Sequence, residues 1–375
     1  MTPQELASEL IRFDTVSVRS NVPITDHVES HLRRLGCDIE RLEYDDARGV
    51  RKASVIGKRG SGGGGGLAYF CHTDVVPAED WARAAGPFEP VIEDGRLYGR
   101  GSCDMKGSLA CMLSAVASVP ASEQREPIYI VCTADEEVGM QGAQQVANES
   151  RMFAEMVAAG TRGIIGEPTE LEVVHAHKGG SVIRVTSRGR AAHSSTTRGL
   201  NANLAMIPLL TEARAIYDET ISDPRWQNPE FDPPTICWNI GINDHTHAIN
   251  ITPPQSVCTI YFRKMPGVDG QPLVERILKV AEAEGLEASV SDFGQPLYIP
   301  KDAPFTLECL ELAGKPAART VGYGTDGARL TALERLIVCG PGSISQAHTH
   351  DEFIEVKQLG LGTDLYRRMI RRWCC

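Results

Sequence analysis

Basic charge is scarce in this sequence. Its 38 lysines and arginines stand against 49 aspartates and glutamates, a formal net charge of -11. Nucleic acid and anionic membrane surfaces need a basic footprint, so neither is expected as a partner. Long apolar runs are missing as well, and no stretch approaches the roughly 18 residues of a membrane span. The opening MTPQELASELIRF has no basic start and no continuous apolar segment, so it is not read as a secretory signal. A cytoplasmic protein is expected. No Cys-x-x-Cys pair occurs among the 11 cysteines. Their number is odd, and Cys71, Cys111 and Cys132 lie inside apolar segments. This points to reduced, buried cysteine and away from a disulfide framework. Cys374 and Cys375 end the chain and are expected to be exposed. The glycine run RGSGGGGG, residues 59–66, lacks a Gly-Lys-Ser/Thr ending and precedes a strand, so it reads as a turn and not as a phosphate cradle.

What is present is ordinary for a soluble globular chain of 375 residues, with 42% apolar and 23% charged positions. That length suffices for two domains. Thr2 as N-cap, Pro3 at the first helical position and Glu5 closing a capping box predict a helix from the third residue. Strands are read at ASVIGK, GLAYFCHTD, PIYIVCTA and RGIIGEP, alternating with helices at GSLACMLSAVASV and near residues 141–158. This is the rhythm of an α/β domain with a central sheet flanked by helices. From Lys178 the pattern changes to strand, helix, strand, strand, helix and a closing strand at EASVSDF. That predicts a small α+β, ferredoxin-like domain inserted at 178–294. Residues 295–375 return to the first domain, 1–177, with strands near ARTVGYGTD and RLIVCGPG and a long final helix.

Polar residues recur at the ends of the strands. His72 and Asp74 follow GLAYFC, Asp104 precedes a helix in GRGSCDMKG, Glu136 and Glu137 follow PIYIVCTA, Glu167 follows RGII, and His348 follows LIVCGPGSISQA. Functional groups of open α/β sheets gather at the carboxyl ends of strands. His72, Asp104, Glu137, Glu167 and His348 are therefore candidates to converge. Two imidazoles and three carboxylates suit zinc or a similar first-row divalent ion. If Asp104 bridges, one ion has His72, Asp104 and Glu167, and the other has Asp104, Glu137 and His348. A two-metal site can generate hydroxide and polarise a carbonyl together. The adjacent Glu136 and Glu137 then divide the work. Glu137 is a ligand, and Glu136 is the general base that takes a proton from water and gives it to a leaving amine. Asp74 supports His72 from behind. Two adjacent glutamates at a strand end also have a bland reading as a solvated loop. His350 competes with His348 as ligand.

The stretches FCHTDVVP, PFEPVIEDGRLYGRGSCDMKG, TADEEVG, IIGEPT, RGRAAHSSTTRGLNAN and GPGSISQAHTHDEF occur together and in order. The chain thereby resembles the zinc-dependent aminoacylase, deacetylase and desuccinylase family of co-catalytic metallopeptidases, from end to end. The resemblance implies two divalent ions, zinc with cobalt able to substitute, bridged by Asp104. It implies Glu136 as base, Asp74 behind His72, His348 as the ligand over His350, and a cis peptide between Asp104 and Met105. It further implies a homodimer, with the inserted domain mediating the contact and His193 reaching the neighbouring subunit's site to donate a hydrogen bond to the oxyanion. The substrate implied is a small N-acyl amino acid. Arg263 in YFRKMPG, Asn250 in AIN, and Gly324 and Thr325 in GTDGA are the residues chosen for its capture, Arg263 as a carboxylate clamp. EPTELEVVHAHKGG, FRKMPG and GPGSISQAHTHDEF lie nearest the deacetylase branch, while GTDG is nearer the desuccinylase style. A dipeptidase or carboxypeptidase, and an inactive ligand-binding relative, are the competing readings. His175 and His177 are assigned structural roles, His245 and His247 a loop role, and His27 and His31 no catalytic role.

Overall fold

The structure, a computed structural model, describes residues 1–62, 65–245 and 248–375. The interior of the glycine run, 63–64, and His247 of the His-x-His pair lie outside the described residues. The chain divides into two compact units. The larger comprises Met1–Ala176, Tyr298–Arg319 and Thr325–Cys375, and the smaller comprises His177–Leu297 and Thr320–Gly324.

In the larger unit the sheet order is Asp38–Asp45, Arg51–Arg59, Ile128–Thr133, Leu67–His72, Arg162–Pro168, Leu336–Gly340, Val174–His177 and Leu297–Tyr298. Its middle is parallel: Leu67–His72 runs parallel to both Ile128–Thr133 and Arg162–Pro168, which in turn runs parallel to Leu336–Gly340. The first two strands of the order join antiparallel. Strands flanked on both faces have no solvated side, which explains their continuous apolar sequences. Every residue of Leu67–His72, Ile128–Thr133 and Leu336–Gly340 is buried. Register aligns the strand ends, with His72 opposite Thr133 and Phe70 opposite Ile165. Glu167, two residues beyond Ile165, is thus level with His72. Gly166 is required there, because a Cβ would sit 2.3 Å from the Tyr69 hydroxyl and 2.4 Å from Ser108 Oγ.

Thr2 and Glu5 form the expected capping box at the start of the helix Pro3–Ile11, through bonds of 3.3 and 2.8 Å. That helix packs on Lys106–Ala117, which also packs on the final helix Val356–Cys374. The single helix expected near 141–158 is two, Gln141–Glu149 and Arg151–Ala158. Ser150 breaks the run: its backbone is extended and its hydroxyl caps Phe153 N. Cys374 is 1% exposed and belongs to the hydrophobic core, contrary to the exposed end expected. The last helix carries it inward, where its thiol meets the Pro127 carbonyl. All 11 cysteines are free thiols.

The smaller unit is an antiparallel sheet in the order Trp238–Asn243, Gln255–Phe262, Ser181–Arg188, Glu287–Asp292. With its helices Ala202–Ser222 and Gln271–Ala283 it has the ferredoxin-like strand order. Both helices pack on this sheet and on each other. Ser181–Arg188 alternates buried and less buried residues, as a half-covered strand must. Among the described residues no helix is long and apolar enough to cross a membrane.

Candidate metal centre

At the carboxyl ends of the parallel strands the larger unit assembles its polar cluster. Asp104 lies between two imidazoles: its Oδ1 is 3.0 Å from His72 Nε2, and its Oδ2 is 3.4 Å from His348 Nε2. His72 Nε2 also faces Glu167 Oε1 at 3.6 Å, and His348 Nε2 faces Glu137 Oε1 at 3.2 Å. Donor atoms of His72, Asp104 and Glu137 lie within 4.8 Å of one another. The sequence-chosen sets, His72–Asp104–Glu167 and Asp104–Glu137–His348, are thus two adjoining triads sharing one carboxylate. The Asp104–Met105 peptide is cis.

Each triad is oriented from behind. His72 Nδ1 donates to the Asp74 carbonyl at 2.9 Å, which fixes the ring with Nε2 facing Asp104 and Glu167. The Asp74 carboxylate accepts from Glu136 N at 3.1 Å, Glu137 N at 3.3 Å and Ser17 Oγ at 2.7 Å. One buried aspartate therefore fixes both His72 and the backbone of the two glutamates. The chain turns there through Asp135, whose φ of 58° is left-handed. Asp135 is anchored by Lys52 Nζ at 2.7 Å and the Tyr44 hydroxyl at 2.9 Å. His348, at the other side, also has a left-handed φ, 63°. This irregular backbone is what a regular strand could not supply to two adjacent carboxylates.

Charge decides what the cluster needs. Burial pushes the carboxyls of Glu136 and Glu167 well above their ordinary range and raises Glu137, each helped by neighbouring carboxylates. Asp104 moves the other way. Burial opposes its ionisation, but hydrogen bonds from His348 and His72 prevail and lower it. Burial works against protonation of His72, yet Asp104 and Glu167 carry it well above an ordinary imidazole. His348 is pushed up to about 10 by hydrogen bonds to Asp104 and Glu137. Four carboxyls, most of them buried, face two imidazoles, and such an excess of acidic groups calls for cations. Imidazole nitrogens and carboxylate oxygens are the donor set of first-row divalent ions. The residues present fit such a pair of ions.

Two participants escaped the sequence. Glu352 is 1% exposed. Its Oε1 accepts from Cys103 N at 2.9 Å and Asp104 N at 3.1 Å, and its Oε2 from Gly101 N at 3.0 Å and Arg100 Nη1 at 2.7 Å. It moulds the loop that presents Asp104. Its only signal was its place in QAHTHDEF, four residues after His348. Asp326, in the GTDGA loop, accepts from Thr133 Oγ1 at 2.5 Å. Burial pushes its carboxyl up to about 6, against the hydrogen bond from Thr133 and the nearby charge of His72.

The other chosen residues fall in both units. Thr325, in the larger unit, accepts from Gly327 N and starts the short turn holding Asp326. Gly324 clusters with the smaller unit. So do Arg263, whose guanidinium lies 4.6 Å from the centre of the Tyr261 ring, and Asn250, whose carbonyl accepts from Ser194 N. His193 is exposed in the same unit and bridges to Ile251, next to Asn250. His193 Nδ1 accepts from Ser195 N at 3.2 Å, so the ring proton resides on Nε2. His175 and His177 are buried and bond to the carbonyls of Ile299 and Lys178, structural positions as expected.

Two triads sharing a carboxylate define a class of co-catalytic metal centre. Residues 68–372 match the peptidase family M20/M25/M40. The chain belongs to that family and is a hydrolase of it. It is 31% identical to the acetylornithine deacetylase of Myxococcus xanthus over 381 residues, 98% of this chain and 96% of that one. Among solved structures it resembles an M20 family metallo-carboxypeptidase from Sulfolobus solfataricus, with a TM-score of 0.75 at 16% identity, covering 99% of each chain. It also resembles a dinuclear metal-binding M20 peptidase from Bacillus subtilis, with a TM-score of 0.65 at 14% identity over 98% of this chain and 96% of that one. The expected central-sheet domain with a smaller α+β domain is the architecture found.

Proposed function

We propose that this chain hydrolyses the amide of a small N-acyl amino acid, taking N-acetyl-L-ornithine to L-ornithine and acetate, a step of arginine biosynthesis in the cytoplasm. The observation that carries this reading is Asp104 with one imidazole on each of its oxygens. The near full-length likeness to a relative named acetylornithine deacetylase supports the choice of substrate. Two divalent ions, zinc with cobalt as a substitute, would be held by His72, Asp104 and Glu167 on one side and Asp104, Glu137 and His348 on the other. When bound, they supply Lewis acidity that makes water nucleophilic and polarises the amide carbonyl.

The remaining work falls to the chain. Glu136 accepts the proton of the attacking water and returns it to the leaving amine. Burial raises its carboxyl above the ordinary range, the direction that favours holding a proton. Asp74 keeps His72 in the tautomer with Nε2 forward and holds the Glu136 backbone in place. Arg263 is the candidate clamp for the substrate carboxylate, and Asn250, Gly324 and Thr325 are the further candidates for substrate capture. In a homodimer, His193 Nε2–H of one subunit donates to the carbonyl oxygen in the other as negative charge grows there.

The test is a hydrolysis panel with zinc or cobalt supplied: N-acetyl-ornithine, N-succinyl-diaminopimelate and simple dipeptides. N-acetyl-ornithine should be the best substrate, and chelation should abolish its turnover. The GTDG loop favours a second reading, the desuccinylase, which preferential cleavage of the succinyl compound would establish. Faster dipeptide cleavage would instead indicate a peptidase. A metal-loaded chain inert toward the whole panel would overturn the assignment.

A further inference from the structure

A second group of metal-ligating side chains lies on the first two helices. Glu9 is on Pro3–Ile11, and His27 and His31 are on Val22–Arg34. The sequence there reads HVESH, so the two histidines are four residues apart and share one helix face. Their rings stand with centroids 4.7 Å apart at 66° and direct both Nε2 atoms at one point. The two Nε2 atoms are 3.2 Å apart. Glu9 Oε2 is 3.4 Å from that of His27 and 3.5 Å from that of His31. Glu29, between the histidines, is engaged by Arg33 and Arg41 and is not the third member.

The three distances have a geometric meaning. Ligands about 2.0–2.1 Å from a tetrahedral ion lie about 3.3–3.4 Å from one another, whereas adjacent octahedral ligands at the same radius lie about 2.9 Å apart. The observed 3.2, 3.4 and 3.5 Å edges describe the tetrahedral triangle. Two imidazoles and a carboxylate are a zinc donor set. The side chain of His31 is 11% exposed, His27 29% and Glu9 38%, so the triangle opens toward solvent, which can furnish the fourth ligand.

We propose that Glu9, His27 and His31 form a further divalent metal site, selective for zinc-like tetrahedral ions and separate from the co-catalytic centre. An ion there clamps the first helix to the second. The clamped helix packs in turn on Lys106–Ala117, the helix that follows Asp104. Three protein ligands leave the fourth position to solvent, which makes the ion exchangeable. The inference does not depend on the substrate reading.

The test is metal analysis of the full chain after equilibrium dialysis against zinc. His27→Ala with His31→Ala should bind one equivalent fewer than the parent. Glu9→Gln should weaken that equivalent at least tenfold. Both variants should keep full turnover when the co-catalytic ions are supplied. Zinc added beyond the co-catalytic complement should raise the melting temperature of the parent but not of the double variant. Cobalt titration of the unaltered chain gives a readout independent of any variant's folding, because a tetrahedral site produces intense visible bands as this equivalent fills. Equal stoichiometry in parent and double variant, or a parent lacking that extra tetrahedral cobalt, would overturn the proposal.

Discussion

Replacing Glu352 with glutamine removes one charge and changes almost no volume, yet the consequence should be large. The carboxylate accepts four hydrogen bonds, two on each oxygen. A glutamine can present its carbonyl to only one of those pairs. Oriented one way, its amino group meets Arg100 and Gly101 N. Flipped, it meets Cys103 N and Asp104 N. Two donor–donor contacts result in either case. Hydrogen bonds to charged groups contribute about 1.5–3 kcal/mol each, so losing two costs about 3–6 kcal/mol. The same range follows from the ion pair, since Arg100 and Glu352 side chains are 4% and 1% exposed and breaking a buried pair costs about 3–5 kcal/mol. The charged Arg100 holds the carbonyl on its own side, which puts Asp104 N among the lost contacts, so metal affinity should fall about 10–100-fold, as when a ligand's support is removed. Denaturant unfolding of Glu352→Gln and a metal-competition titration read the two effects. Combining it with Arg100→Met should recover part of the stability, because no unpaired guanidinium then remains. A Glu352→Gln protein within about 1 kcal/mol of the parent and with parental metal affinity would refute this account, as it would place the variant in the ordinary range of substitutions.

Further tests follow from other residues. Glu136→Gln should retain its metals but lose at least about 10²-fold in turnover, the effect of deleting a general base, while Glu137→Gln should lose metal at one position. Equal metal loss by elemental analysis would remove the division of labour. His193→Ala should lower turnover by about 10²–10³, the effect of losing one oxyanion donor. Mixing it with Glu136→Gln should then restore activity above the sum of the two, and no recovery after confirmed subunit exchange would end the cross-subunit role. Burial pushes His177 down to about 4. Between pH 6.5 and 4 the unfolded chain binds a proton that the folded one refuses, so stability falls with pH by up to about 3 kcal/mol in that window. His177→Leu should flatten that limb of an acid-unfolding profile, and an unchanged limb would refute the assignment.

The parts of this fold visible in the sequence were those made of neighbours. Strands buried on both faces appear as unbroken apolar runs such as LAYFCH and IYIVCT, and a polar residue just after such a run marks its carboxyl end. That reasoning placed His72, Glu137 and Glu167, and the irregular stretches around Asp104 and His348 completed the set. What remained hidden depended on partners distant along the chain. Arg100 and Glu352 are 252 residues apart, and nothing local in either marks a buried pair. The break at Ser150 was also invisible, because its hydroxyl completes its bonding by donating to Glu40 on a separate strand. A helical pattern continues through 150 while the backbone does not. Cys374 was misplaced because position in the sequence says little about depth when the final helix lies along the core.

The pairing of Arg100 with Glu352 also sets a clock on synthesis. At about 5–20 residues per second, the ribosome delivers Glu352 roughly 13–50 s after Arg100. During that interval Asp104 has neither the carboxylate that moulds its loop nor the imidazole of His348, and the whole smaller unit emerges meanwhile. The sheet meanwhile lacks Leu336–Gly340, the strand that pairs with Arg162–Pro168. Chaperones and proteases have that period in which to engage the chain before His348 and Glu352 complete the site.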